Sequence, residues 1–257
     1  MTRKTLPVLA VLLVAGCSAG TAPPSSPSSA PSPSQASPPP LSLPLPKGSD
    51  PVTLHPPELT SQITNPYFPL KPGAKWVYEE DDGSGGKVRI EVTVAAETKR
   101  IMGIDARIVH DVVTEDGAVV EDTFDWYAQD TAGNVWYLGE DTKEFEGGKL
   151  VSTKGSWLAG QDGALPGIIM VADPRPGMTY RQEYYRGQAE DGATVVSVGD
   201  SVTVRFGTFA NALTTEEFTP LEPGLRERKV FAPGVGAVLT VGVSGGKSRS
   251  ELVSYTG

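Results

Sequence analysis

The sequence predicts an all-β protein. It is one antiparallel domain, a curved sheet, incomplete barrel or sandwich, preceded by a disordered Pro/Ser-rich stalk. Three observations predict this. From residue 75 onward, short apolar runs alternate with polar residues at a period of two, most plainly where Val88, Ile90, Val92 and Val94 are spaced by Arg89, Glu91 and Thr93. Turn sequences that carry Gly, such as Glu115-Asp116-Gly117 and Glu190-Asp191-Gly192, separate these runs and can take positive φ. No stretch of twelve residues places its apolar side chains on one helical face.

The chain begins with a short positive segment, Arg3 and Lys4, and an apolar run of nine residues from Leu6 to Val14. That run is far below the ~20 residues a membrane-spanning helix needs. It has the length of the apolar core of a secretory signal. Small residues follow at Ala15 and Gly16, and then Cys17, the one Cys of the chain. This order matches the bacterial lipobox, in which the Cys thiol is acylated and becomes the new N-terminus after cleavage. Residues 1–16 are therefore read as a lipoprotein signal peptide. Cys17 is read as a lipid anchor on the extracytoplasmic face of the cell membrane, since two or three acyl chains anchor stably where one does not.

Residues 17–48 form the linker. From Ser18 to about Lys47 the chain is almost wholly Ser, Pro, Ala, Gly and Thr, a composition without the apolar residues to build a core. Its prolines favour extended polyproline II, at about 3.1 Å per residue, so thirty residues reach up to roughly 90 Å. The β domain is assigned to residues 49–257. Pro51, Pro56 and Pro57 delay regular structure, and Pro72-Gly73 turns the chain into a first strand at 75–80. Further strands are expected near 88–94, 104–113, 119–129, 134–140, 144–153, 179–188, 194–198, 201–206, 213–220, 226–231, 237–243 and 248–255. Phe209–Ala212 is expected to make a short helical turn. Residues 154–177 read as a long loop around Trp157 and Ile168-Ile169-Met170, either a functional loop or a cover over one end of the sheet.

Composition narrows the function. The formal net charge is −9, and losing Arg3 and Lys4 with the signal takes it to −11. Such a surface does not attract nucleic acid or anionic lipid by charge. A lipidated single Cys leaves none for disulfides or thiolate metal sites. No cofactor motif is present, and no regular calcium-loop spacing occurs near Asp81-Asp82 or Asp130–Asn134.

Four residues stand out as candidate ligand contacts: Trp126, Trp136, Tyr137 and Trp157. Trp126-Tyr127 and Trp136-Tyr137 flank a turn at Thr131–Asn134, with acids at both ends. Flat rings stack on the apolar faces of sugars or on aliphatic ligands. The same pattern also arises from cross-strand aromatic pairs that only stabilise a sheet. Adjacent rings point to opposite faces, so one of each pair belongs to the core. Glu121, Asp122, Asp125, Asp130, Glu140, Asp141 and Glu144 supply carboxylates that a glycoside hydrolase uses in pairs. Acids on the solvent face of strands are the common explanation for such a run.

Two catalytic patterns fail on their own terms. Gly242-Val243-Ser244-Gly245-Gly246 has the letters of a nucleophile elbow, but both His of the chain, His55 and His110, precede it. The same segment through Lys247-Ser248 is one residue short of a phosphate loop and runs into a strand-like segment. A β-hairpin turn explains it. His110, in a strand beside Asp111, has no second His nearby to complete a metal site.

Tyr67-Phe68-Pro69-Leu70-Lys71-Pro72-Gly73 followed by Trp76-Val77-Tyr78 resembles the domain start of a family of uncharacterised bacterial envelope lipoproteins. Ala232-Pro233-Gly234-Val235-Gly236-Ala237-Val238 resembles its late Gly-Val-Gly turn. Asp130–Tyr137 and Gly167–Met170 are similar too, so the resemblance spans roughly residues 65–238. These motifs are structural and carry no chemistry. At greater distance such domains are similar to curved-sheet carriers of lipoproteins and lipids, which implies an incomplete barrel open to acyl chains. The expectation is a non-enzymatic, membrane-anchored β domain that binds an apolar, amphipathic or glycan ligand, or an envelope partner. An envelope polysaccharide hydrolase and a purely structural or adhesion module stand as alternatives.

Overall fold

A computed structural model of the chain describes residues 45–81, 88–245 and 248–257. The signal segment, Cys17, most of the linker and the turn expected at 82–86 lie outside the described residues. The described part is almost entirely antiparallel β-structure, joined by one short 3-10 turn at Pro56–Glu58.

In chain order the strands are β1 (Leu59–Thr60), β2 (Lys75–Asp81), β3 (Val88–Ile101), β4 (Ile104–Glu115), β5 (Ala118–Asp130), β6 (Val135–Glu146), β7 (Lys149–Ser152) and β8 (Trp157–Leu158). They continue with β9 (Leu165–Met170), β10 (Thr179–Arg181), β11 (Glu183–Tyr184), β12 (Gly192–Val204), β13 (Gly207–Phe218), β14 (Arg226–Ala232), β15 (Gly236–Ser244) and β16 (Arg249–Thr256). β2 to β6 form one meander and β12 to β16 another. The last strand joins the first long one, with Leu252 opposite Tyr78 and Tyr255 opposite Trp76.

The path through the sheet starts at β10 and ends at β11, which are one segment interrupted at Gln182. Thr179–Arg181 pairs with β12 on one side, and Glu183–Tyr184 pairs with β9 on the other. The sheet is thus nearly closed into a barrel, and Gln182 marks the seam. Gln182 and Glu183 both donate their N–H to the Asp191 carbonyl, at 2.8 and 3.3 Å. Gly167 is required at this place, because a Cβ there would run into the backbone of Gln182.

Curvature comes from bulges, where an extra residue bends one strand and raises its twist. β3 skips register between Val94 and Thr98. The carbonyls freed there, of Ala95, Ala96 and Glu97, accept from Nη1 of the buried Arg107, whose Nε bonds the Ser61 carbonyl. The turn at Asp116-Gly117 forms as expected, with both residues at positive φ, 49° and 86°. This type I′ shape matches strand twist.

Several expected details differ. The strands expected at 194–198 and 201–206 are one element, β12, kinked by register shifts and by Gly199 at φ 98°. Phe209–Ala212 is not helical but lies within β13. Gly192 opens β12 instead of making a positive-φ turn. The strand expected at 144–153 is a hairpin of β6 and β7 through Gly147-Gly148. The loop expected at 154–177 contains β8 and β9, both paired with β6. Its apolar run is buried on both faces and does not alternate, which hides a strand from a period-two reading.

Candidate functional site

A cavity of 380 Å³ opens on the concave face between the two meanders. Two-residue periodicity points alternate side chains of each strand into it. β2 contributes Trp76, Tyr78 and Glu80, and β3 contributes Ile90 and Val92. β4 adds Val109 and Asp111, β5 adds Asp125 and Tyr127, and β14 adds Glu227, Lys229 and Phe231. Phe68-Pro69-Leu70 and Ile169 close one side, while Glu217, Ser248 and Ser250 stand among the polar groups. The cavity is therefore amphipathic, with aromatic and aliphatic residues along part of its wall and carboxyls along another.

The aromatic part is built as a ladder. Phe68 meets the edge of Tyr127 at 5.2 Å between ring centres, Tyr127 stacks on Tyr137 at 4.8 Å, and Tyr137 meets Trp157 edge-on at 5.3 Å. Such pairs prefer these offset and edge geometries. Trp76 and Tyr78 are held from their polar ends, which donate to the carbonyls of Val235 (2.8 Å) and Ala237 (2.9 Å).

The acidic part is unusual in how its charges are supported. Lys229 pairs with Glu217 at 2.7 Å. Burial works against its charge, but Glu217, Glu227 and Asp191 outweigh burial and hold it protonated. Tyr137 donates its hydroxyl to Asp125 at 2.5 Å and lies 3.1 Å from a Glu140 oxygen. One phenolic proton serves one carboxylate. Both contacts are favourable together when Glu140 carries the second proton, and burial and the Asp125 charge do push Glu140 upward. Burial lifts Asp125 to about 6 against the Tyr137 hydrogen bond. Deeper in, the buried Glu183 accepts from Trp157 Nε1 at 2.7 Å, and burial raises it well above the usual carboxylate range.

Asp111 has the least support. Burial lifts it to about 8, and the charges of Asp125 and Glu121 push the same way against the smaller opposing pull of Lys229. Its Oδ1 is shut off from solvent and has no hydrogen-bond partner. Among the described residues no other carboxylate oxygen is in that condition. Buried polar atoms are ordinarily satisfied, so an exception calls for an explanation.

The four aromatic residues singled out in the sequence are all buried. Tyr137 and Trp157 belong to the ladder behind Tyr127. Trp126 and Trp136 alternate with Tyr127 and Tyr137 and so point to the opposite face of the sheet. Lys99 sits over the Trp126 ring at 3.1 Å, and Trp136 Nε1 donates to Asp130 at 2.9 Å. Asp130 also receives the N–H and side-chain amide of Asn134, each at 2.9 Å, which fixes the hairpin turn. Of the sequence's acids, Asp125 reaches the cavity and Glu140 lies just behind it. Asp122 instead pairs with His110 at 2.8 Å, and that imidazole stacks on Phe124.

Asp111, Glu217, Glu227 and Lys229 were not singled out. The signal was present in the parity. Asp111 falls between Val109 and Val113, and Lys229 lies two residues before Phe231, at positions whose neighbours on the same face are apolar.

No family model matches the sequence, and no curated protein matches it. Two solved structures are similar in part. One, from Bacteroides fragilis, is described as an exported protein with a YmcC-like fold. It shares 14% identity at a TM-score of 0.46 over 74% of this chain and 99% of that one. The other, from Parabacteroides distasonis, is described as a lipoprotein. It shares 14% identity at a TM-score of 0.44 over 74% of this chain and 98% of that one.

Proposed function

We propose that the protein is a lipid-anchored extracytoplasmic binding protein whose β domain takes an amphipathic small molecule into the concave cavity. The observation that carries this reading is the 380 Å³ cavity itself, walled by aromatic and aliphatic side chains on one part and carboxyls on another. Its volume falls at the lower end of ligand sites in general. Support for the anchor comes from the signal-like segment and Cys17. Native mass spectrometry of protein purified without detergent should show a retained mass of a few hundred daltons that organic extraction removes. A bare polypeptide mass, with no uptake of any amphiphile offered, overturns the reading. Cys17→Ser should abolish labelling by radioactive fatty acid and leave the chain unprocessed or released from membranes.

A second reading has one specific observation behind it. Asp111 and Asp125 share the cavity wall, and their environments push them to different values, about 8 and about 6. That is how an acid and a base are set apart in one site. It ranks second because the Asp125 carboxyl is already engaged by Tyr137. Release of reducing ends from envelope polysaccharide, lost in Asp125→Asn, would move it to first.

A further inference from the structure

The ligand's polar head can be specified from the cavity's charges, on the reading that the cavity binds an amphiphile. We propose that the cavity is selective for a primary alkylammonium, its cationic head hydrogen-bonded to the Asp111 carboxyl and its hydrocarbon part against Trp76, Val92, Val109 and Phe231.

The first support is the orphaned acceptor. Asp111 is part of the cavity wall, and its Oδ1 lacks any donor within the protein. Rotation about the Cβ–Cγ bond only exchanges the two oxygens, so one of them stays without a donor in either position. The ionised carboxyl is then left to be compensated from the cavity side, by a cation within reach of its outer oxygen.

The second support is the sign of the field. Glu80, Asp111, Asp125, Glu217 and Glu227 line the cavity against one cation, Lys229. Lys229 pairs with Glu217 at 2.7 Å and makes no hydrogen bond to Asp111 Oδ1, so among the described residues Asp111, Asp125 and Glu227 of the lining have no lysine partner of their own. A carboxylate ligand would add another negative charge to this set. A neutral alcohol would satisfy the hydrogen bond but leave the charge uncompensated. An ammonium does both, and in a low-dielectric cleft the charge-assisted bond is about twice as strong as a neutral one.

The third support is size and shape. The space equals about a dozen waters. It therefore takes a head and a short chain, with the rest of a longer molecule leaving through the open side. Where Asp111 is protonated before binding, its proton passes to the buffer as the ammonium arrives, and no bond to carbon changes.

The test is isothermal titration calorimetry on the full chain carrying Cys17→Ser, so that no acyl chain of its own competes. Octylammonium, octanol and octanoate form a matched series. Octylammonium should bind at least tenfold more tightly than octanol, and octanoate more weakly than either. Asp111→Asn should remove the advantage of octylammonium and leave octanol within about twofold. Equal binding of octylammonium and octanol, tightest binding of octanoate, or an unchanged preference in Asp111→Asn overturns the assignment of the head while amphiphile binding stands. Failure of all three to bind removes both readings. The wild-type series decides the question by itself should the variant not fold.

Discussion

The seam of the barrel and the wall of the cavity treat buried charge in opposite ways. At the seam, Arg181 is buried and its Nε lacks an acceptor, yet both its terminal nitrogens are engaged, donating to the carbonyls of Gly48 (2.6 Å), Asp50 (2.8 Å) and Pro166 (2.7 Å). Its backbone N–H donates to Pro46 at 2.7 Å. One charge thus ties the entry segment and β9 to the strand that closes the sheet. At the cavity wall, Asp111 is pressed against other acids and one of its oxygens has no donor. The first arrangement serves the fold. The second works against it, which is the pattern expected where a site is kept ready for something absent from the chain.

Breaking the seam should have the largest effect. Arg181→Met leaves three carbonyls without their donor and should lower stability by about 3 kcal/mol or more, read from urea unfolding. A loss below about 1 kcal/mol would mean that the seam charge is incidental. The entry segment near Gly48 should also become sensitive to protease in this variant.

Relieving the cavity should do the reverse. Asp111 and Asp125 sit at about 8 and about 6 in the folded protein, above the ordinary carboxylate value near 4. Between those values the folded state holds protons that the unfolded chain has released. Stability therefore falls as pH rises from about 4 to 8, by up to about 1.4 kcal/mol per pH unit for each group in its window. Asp111→Asn should raise stability at pH 8 by about 1–2 kcal/mol and flatten the upper part of the profile. A variant less stable than the parent at pH 8 would show that Asp111 has a structural partner after all.

The smallest effect concerns the link between the two regions. Tyr137 stands between Asp125 on the cavity and Trp157, whose indole reaches Glu183 beside the seam. Tyr137→Phe keeps the ring ladder and removes one donor to a buried carboxylate. It should lower stability at pH 8 by about 1 kcal/mol and leave pH 5 nearly unaffected, since a protonated Asp125 needs that donor less. An equal loss at both pH values would assign the role of Tyr137 to packing alone.

Much of this fold is legible in the residues, because alternation and turn chemistry are local. Val88 to Val94 announce β3, and Asp116-Gly117 announces the turn after β4. The closure at Gln182 is not legible. Residues 179–188 read as one strand; the structure ends it at Tyr184, and only the meeting of β9 and β12 across it splits what remains in two. Of the candidate aromatics, alternation correctly implies that Trp126 and Tyr127 part to opposite faces, but not which face is concave. Asp125 is visible as an acid among many. Its tie to Tyr137 depends on a register shift between β5 and β6 that nothing in the string foretells.

By itself the sequence determined the antiparallel β class, the acidic balance and the signal-like approach to Cys17, all of which depend on composition and near-neighbour spacing. Only the tertiary structure decided that Asp111, Asp125, Glu217, Glu227 and Lys229 share one cavity. They come from strands up to about 120 residues apart, brought together when the last strand, β16, paired with β2. Whether a carboxyl meets water, a lysine or no donor is a property of that closure, because burial and neighbouring charge are set by distance in space and not by distance along the chain.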